Sequence, residues 1–541
     1  MPRHAAVARA YDATLASLLR SIKNHGYEPK PAPPPPSKND PIEPDAPLAP
    51  LGDPLSYNQT IMLSIPGRPG RTCDGWSRRE LLRVGGLSLL GVSLPQLLQM
   101  EAQASPAHGA PAKITPKAKQ VVMIFLQGGP SHIDIWDPKP NAPSNIRGEF
   151  KAIPTSVDGI QVSETMPMMA KAMDKVTLVR SMSYTPVGLF NHTAAMYQMM
   201  TGWAPDKVSP SGQLEPPSPR DFPHMGCHIG RMLPPDGAML PFVEMPRPLQ
   251  ESNVIGKGGA AGFLGKAHDP YRLYQDPAKD VKLEDLSLRP EVSQDRLKDR
   301  FELLKGINGS MKDLEKAVSS YALTEYYEKA YDLVLSGKAR DAFDLNLETE
   351  AARERYGRHT FGQSLLMARR LIEAGTRFVQ VNWPSVANGN PETDAWDTHA
   401  ANFGPLKNLH CPKLDRALSG FIEDMDQRGL LKDTLVVCTG EFGRSPKLGV
   451  STSGNTNSPD GRDHWPYCYS AIVAGAGVRR GHQYGASDAT ASAPAEKALH
   501  PVDLVATIYH SLGIDPRMEV LNDLKQPRAL VEGTPALGLF A

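Results

Sequence analysis

The chain has 541 residues, and 59 Lys+Arg offset 59 Asp+Glu to a formal net charge of zero. That balance argues against a nucleic-acid binder, which needs a basic face for phosphates, and against a polybasic membrane-surface protein. With 40% hydrophobic and 22% charged residues the composition is that of a globular protein, and 51 Pro with 46 Gly imply long loops around its regular elements.

Residues 1–61 read as an extension outside the fold. A short amphipathic helix fits 5–22, but 29–54 is Pro-rich and includes Pro33-Pro34-Pro35-Pro36, which favours extended polyproline geometry over a packed core. Ser77-Arg78-Arg79-Glu80-Leu81-Leu82-Arg83 follows, then an apolar stretch over 84–98 and the A-x-A sequence Ala102-Gln103-Ala104. Twin arginine, a short apolar segment and small residues are, in that order, the parts of an export signal, and the segment is too short for a span of ~20 residues. Met62 would place the twin arginine near a conventional start. The expected organisation is therefore an extension (1–61), a twin-arginine signal (62–104), a linker (105–118) and the folded domain (119–541). Export to the periplasm or outside the cell follows, with the twin-arginine machinery as partner of the precursor.

Within the domain, 121–126 is a continuous apolar run ending in Gln127-Gly128-Gly129-Pro130, the signature of a strand buried on both faces of a parallel sheet. Similar strands are expected at 176–180, 378–382, 434–439 and 471–474, and helices at 193–200, 348–374, 407–428 and 502–512. Strand alternating with helix predicts an α/β fold with a mostly parallel sheet flanked by helices. The charged stretch 283–355 predicts an inserted helical segment with a solvated face. Gly256-Lys257-Gly258-Gly259 lacks the GK[ST] ending of a phosphate loop and reads as a flexible loop.

In such sheets ligands bind beyond the carboxyl ends of the strands, and polar residues gather there. They are Ser131, His132, Asp134 and Asp137; Asn191-His192-Thr193; Trp396-Asp397-Thr398-His399; Gly440-Glu441-Phe442-Gly443-Arg444; and Arg462-Asp463-His464-Trp465. Carboxylates and imidazoles at successive strand ends supply oxygen and nitrogen ligands for a divalent metal. Each also has a plainer reading. Asp397 can cap a helix, His464 can bond to backbone, Glu441 can neutralise Arg444, and His192 can pack at a helix start. Five scattered cysteines with no CxxC pair argue against a zinc ribbon or thioredoxin-type site. Their pairing in an oxidising compartment is not legible.

The stretches FLQGGPSHIDIWDPKP, NHTAAMYQMMTG, FGQSLLMARRLIEAGTRFVQVNW, WDTH, GEFGRSPK, GRDHWP and HPVDLVATIYHSLGIDP closely resemble the DUF1501 family of exported bacterial proteins from about Lys119 to Asp515. The resemblance implies an alkaline-phosphatase-like fold of the alkaline-phosphatase/sulfatase superfamily, with a nucleophile and one or two metal ions. Carried onto this chain, it assigns the first metal position to Asp397, His399 and His464. The second falls at Gln127 and Glu441-Phe442; phenylalanine cannot bind a metal, which leaves Glu441 with His132 or Asp134 as replacements. Counting back from Thr201-Gly202 puts His192, with Thr193 beside it, in the nucleophile's place, and Arg444 at the developing charge. No C-x-P-x-R signature exists, which argues against formylglycine sulfatase chemistry. The implied activity is metal-dependent hydrolysis of phosphate or sulfate esters, small-molecule or polysaccharide, by one of two routes. Either His192 or Thr193 attacks, or the metal activates water and His192 is a ligand or base. Two imidazoles with one carboxylate favour zinc or manganese, while calcium and magnesium also suit the oxygen donors. The competing class is a non-catalytic periplasmic binding or scaffold protein that keeps the fold and a structural metal.

Overall fold

Eight strands form the central sheet of the computed structural model, which describes residues 114–205, 216–251, 254–283, 295–296, 298–300, 302–303, 337–384 and 395–541. The extension 1–61, the signal region 62–104 and most of the 283–336 stretch lie outside the described residues, as does Cys73. All described residues fall in one compact unit, Gln103–Ala541.

In chain order the strands are β1 (Gln120–Phe125), β2 (Val176–Met182), β3 (Phe242–Met245), β4 (Tyr271–Arg272), β5 (Phe378–Asn382) and β6 (Thr434–Thr439). The short pair β7 (Gly443–Arg444) and β8 (His464–Trp465) follows, then β9 (Tyr469–Ala474) and β10 (His482–Tyr484). The sheet order is β10-β2-β9-β6-β1-β5-β3-β4, with β7 and β8 forming a separate ladder. β1 lies in the middle, parallel to β5 and β6, with Phe125 level with Asn382 on one side and Thr439 on the other. The expected fold class, a mostly parallel sheet flanked by helices, is observed. One strand departs from it: β9 runs antiparallel to both β6 and β2. An antiparallel strand begins at the edge where its parallel neighbours finish, so the segment before β9 reaches the same edge as the segments after β1, β2, β5 and β6.

β1 is buried on both faces because its alternate side chains enter different cores. Val122 and Ile124 join one with α1 (His132–Ile135), α2 (Pro167–Ala172), α5 (Lys338–Phe343), α7 (Thr360–Ala374) and α8 (Cys411–Gln427). Val121, Met123 and Phe125 join the other with α3 (His192–Thr201), α4 (Met225–Met232) and α9 (Pro501–Ser511). A continuous apolar strand is what that environment requires. The helix expected over 348–374 is two helices, α6 (Glu350–Tyr356) and α7, divided at Gly357 with φ of 86°. The described part of the 283–355 stretch includes α5, whose Ala339, Ala342 and Phe343 are buried in the first core. The 256–262 loop is packed: Lys257 Nζ lies 3.1 Å from Asp221, and Gly258, at φ 87°, rests on Tyr197. Cys227, Cys411, Cys438 and Cys468 are buried free thiols. Among the described residues no helix is long and apolar enough to cross a membrane.

Candidate metal centre

The exit of β1 and the segment after β5 interlock through a glycine and a tryptophan. Gly128 has φ of 107°, and a Cβ there would stand 2.5 Å from Trp396 N and 2.9 Å from Asp397 N. Only glycine combines that backbone conformation with so close an approach. Trp396 N donates to Gln127 O at 3.1 Å, and its buried indole lies 4.9 Å from the rings of both Trp383 and His410. With the indole driven into the core, the next residue, Asp397, turns its carboxylate outward, and 36% of that side chain is exposed.

Three imidazoles meet this carboxylate. His399 Nε2 is 3.0 Å and His464 Nε2 3.4 Å from Asp397 Oδ1, and the two nitrogens are 2.9 Å apart. His192 Nε2 is 3.4 Å from Asp397 Oδ2. Behind each ring an oxygen faces Nδ1. His464 Nδ1–H donates to Phe190 O at 2.6 Å, His192 Nδ1–H donates to Glu441 Oε1 at 2.6 Å, and His399 Nδ1 lies 3.3 Å from Asp463 Oδ1. A carbonyl can only accept, so the Phe190 contact assigns the Nδ1–H tautomer to His464 and leaves the Nε2 lone pair facing the cluster. Asp463 is itself held by Ser453 Oγ and by the backbone N–H groups of Thr452, Ser453 and His464.

Electrostatics follow from this packing. Burial works against the charge of Asp397, but the Arg444 guanidinium and His192 outweigh it and hold the carboxyl well below the usual range. Burial likewise opposes protonation of His192, yet the carboxylates of Asp397 and Glu441 raise it to about 10. Burial and the neighbouring His192 push His464 down to about 4. Three carboxylates (Asp397, Glu441, Asp463) face the Arg444 guanidinium and the protonated His192, so the site without an ion keeps one net negative charge, which favours a cation. Two overlapping groups, His192 with Asp397 and His464, and His399 with Asp463 and His464, bring their ligand atoms within 4.8 Å of one another. His192 Nε2 is buried without a hydrogen-bond partner. The three donors Asp397 Oδ1, His399 Nε2 and His464 Nε2 stand close to the ~3.4 Å spacing expected for tetrahedral ligands at ~2.1 Å from one ion. The donor set fits a metal.

The sequence-based site thus divides. Asp397, His399, His464 and His192 come together, with Glu441 behind His192. Four other expected roles meet a different geometry. Asp134 is fully buried in a bidentate pair with Arg462 (2.7 and 3.1 Å) and also accepts from Ser131 and Asn402, so both its oxygens are taken by protein donors. His132 Nε2–H donates to Ala491 O. The Thr193 hydroxyl donates back to Asn191 Oδ1, the cap of α3, at 2.7 Å. Arg444, expected to meet a developing oxyanion, is buried and donates to Gly128 O, Gly129 O, Arg462 O and Asp397 Oδ1 (2.5 Å). It braces Asp397 and the turn after β1. Of the plainer alternatives, His464 does bond to backbone, but Asp397 is not a cap, since the next helix begins at Phe403 with Asn402 before it, and Glu441 pairs with His192. Sequence reasoning missed Phe190, whose role belongs to its backbone carbonyl and leaves no side-chain signal. It also missed Asp463 as a partner of His399, although its place beside His464 was visible.

The fold and centre are those of an α/β protein with imidazole and carboxylate side chains gathered at the exit edge of its sheet. The chain belongs to the DUF1501 family, described as a protein of unknown function, whose pattern matches residues 118–537. No curated protein matches it in sequence. Solved structures similar to it include the PsFucS1 sulfatase from Pseudoalteromonas sp. (13% identity, 81% of this chain and 72% of that chain covered, TM-score 0.33). Another is the phosphonate monoester hydrolase SpPMH from Silicibacter pomeroyi (12%, 78% and 76%, 0.33). A third is a protein in the alkaline phosphatase superfamily from Vibrio parahaemolyticus (11%, 76% and 73%, 0.32).

Proposed function

We propose that Asp397, His399 and His464 hold one divalent cation, zinc or manganese by their donor set, in an exported hydrolase of phosphate or sulfate esters. The observation that carries the reading is the shared orientation of three imidazoles. Each has an oxygen at Nδ1 and turns Nε2 toward one carboxylate, the arrangement by which oriented histidines serve as ligands. When bound, the ion would act as a Lewis acid toward an ester oxygen. Arg444 and Trp396 fix Asp397, Phe190 fixes His464, and Asp463 faces the back of His399. His192, at the first position of α3, faces the partly exposed Asp397 carboxylate, whose charge holds a proton on it; with that charge neutralised by the ion, Nε2 would be free to take a proton or attack the ester. Small-molecule or polysaccharide esters are the substrate class, and the Arg78-Arg79 segment supports twin-arginine export to the periplasm or beyond.

A second reading draws on His192 itself. Its Nε2, 3.4 Å from Asp397 Oδ2, stands close enough to complete a closed four-ligand set, the mark of a structural site in a binding or scaffold protein. One experiment separates them. The full chain, stripped of metal and reloaded with zinc or manganese, is offered aryl phosphate, aryl phosphodiester and aryl sulfate. The hydrolase reading expects turnover that requires the metal and is lost in His192→Ala while the ion stays bound. Loaded protein without turnover on any ester, and loss of the ion in His192→Ala, would favour the closed site.

A further inference from the structure

We infer that Glu441 is the positioning carboxylate of His192 and not a ligand of the ion. Sequence placed Glu441 at a metal position, but its geometry is that of the back half of a dyad. The side chain is fully buried, and one oxygen, Oε1, receives both His192 Nδ1–H (2.6 Å) and Gly128 N–H (2.7 Å). Those donors come from rigid places. Gly128 follows β1, Glu441 follows the adjacent parallel strand β6, and His192 opens α3. The adjacent Phe442 ring packs 4.8 Å from the rings of both His192 and His464, so the residue beside Glu441 offers the cluster an apolar face and no donor atom.

A carboxylate on Nδ1–H fixes the imidazole's tautomer and orientation and stabilises the imidazolium formed when Nε2 takes a proton or forms a bond. Glu441 therefore keeps Nε2 aimed at the Asp397 side of the centre. The geometric half of this inference stands without the ester reading. Only the chemical role of His192 rests on it.

The test compares Glu441→Ala and Glu441→Gln in the full chain. Glutamine keeps an acceptor oxygen for Nδ1–H, so it also serves if the alanine variant does not fold. Both variants are expected to bind zinc at the wild-type stoichiometry. In zinc-loaded, 15N-histidine-labelled protein the downfield His192 Nδ1–H signal should vanish in the alanine variant and persist in the glutamine variant. On any ester the wild type turns over, alanine should lower kcat by about 100-fold with KM little changed, and glutamine should restore part of it. Loss of zinc in either variant, or an unaltered His192 signal and kcat in Glu441→Ala, would overturn the inference. Should no ester react, the hydrolase reading falls, while the zinc and NMR measurements still decide the place of Glu441.

Discussion

Removing the Asp134 carboxylate isolates a guanidinium that has no route to water. Arg462 and Asp134 are both fully buried and joined by two hydrogen bonds. Arg462 also donates to Ser445 O, Pro446 O and Ile146 O, which ties the start of the 445–463 loop, and so Asp463 and His464, to the segment after β1. Breaking one side of such a pair typically costs about 3–5 kcal/mol, because the remaining charge stays buried and uncompensated. Over the roughly 420 residues of the matched span 118–537, an unfolding entropy of ~2.1 cal/mol/K per residue gives ~0.9 kcal/mol/K, so Asp134→Ala should lower Tm by ~3–6 °C. Scanning calorimetry of the full chain measures this directly. Asp134→Ala combined with Arg462→Leu should recover much of the loss, since an apolar replacement of both partners removes the stranded charge. The folded single variant should still bind its ion at saturating concentration. Unchanged Tm together with loss of the ion would refute the reasoning and return Asp134 to the role of ligand.

Gly128→Ala should destabilise by on the order of 3 kcal/mol and weaken metal binding, because the added Cβ strains a left-handed residue and meets Trp396 N. Gly159→Ala is the control, at φ 80° with no atom within 4 Å of the added carbon, and urea midpoints should differ clearly between the two. Asp463→Asn should weaken metal affinity by about 10–100-fold through His399, read by competition with a chelating dye; unaltered affinity would remove Asp463 from the site. Asp415 supplies a pH dependence. Burial raises its carboxyl from 3.8 to about 6 despite N–H bonds from Met169 and Met168. A carboxyl raised in the folded state stabilises below its unfolded pKa and loses that contribution as pH rises through 6. The stability of wild type relative to Asp415→Asn should thus fall by ~3 kcal/mol at most between pH 4 and 7.5. An opposite slope in chemical denaturation would show that the two N–H bonds dominate.

The strands were legible because each is dominated by apolar and β-branched residues, and a parallel sheet buried on both faces demands that pattern. Residues 378–382 and 434–439 match their strands from end to end. The antiparallel course of β9 was not legible, since periodicity carries no direction. Even so, the polar cluster preceding 471–474, where the others follow their strands, was its trace. The break at Gly357 was hidden inside one helical periodicity, and its positive φ marks the joint. At the centre, residue types at strand ends placed Asp397, His399, His464 and His192 on one edge, because a parallel sheet delivers its exit loops together. Orientation was another matter. Thr193 and His192 are neighbours, yet one turns to the helix cap and the other to the carboxylate. Asp134 and Asp397 carry the same group, and only tertiary packing gives one to Arg462 and leaves the other facing solvent and imidazoles. A buried arginine such as Arg444 reads in sequence like a substrate clamp, and its four acceptors are set by loops remote in the chain.

Anomalous scattering from crystals of the full chain grown with zinc or manganese addresses the centre without reference to any substrate. One strong peak should lie ~2.0–2.2 Å from Asp397 Oδ1, His399 Nε2 and His464 Nε2, and be absent in His464→Ala. Crystals at saturating metal with no peak among these three atoms, or with their side chains turned apart, would contradict the assignment.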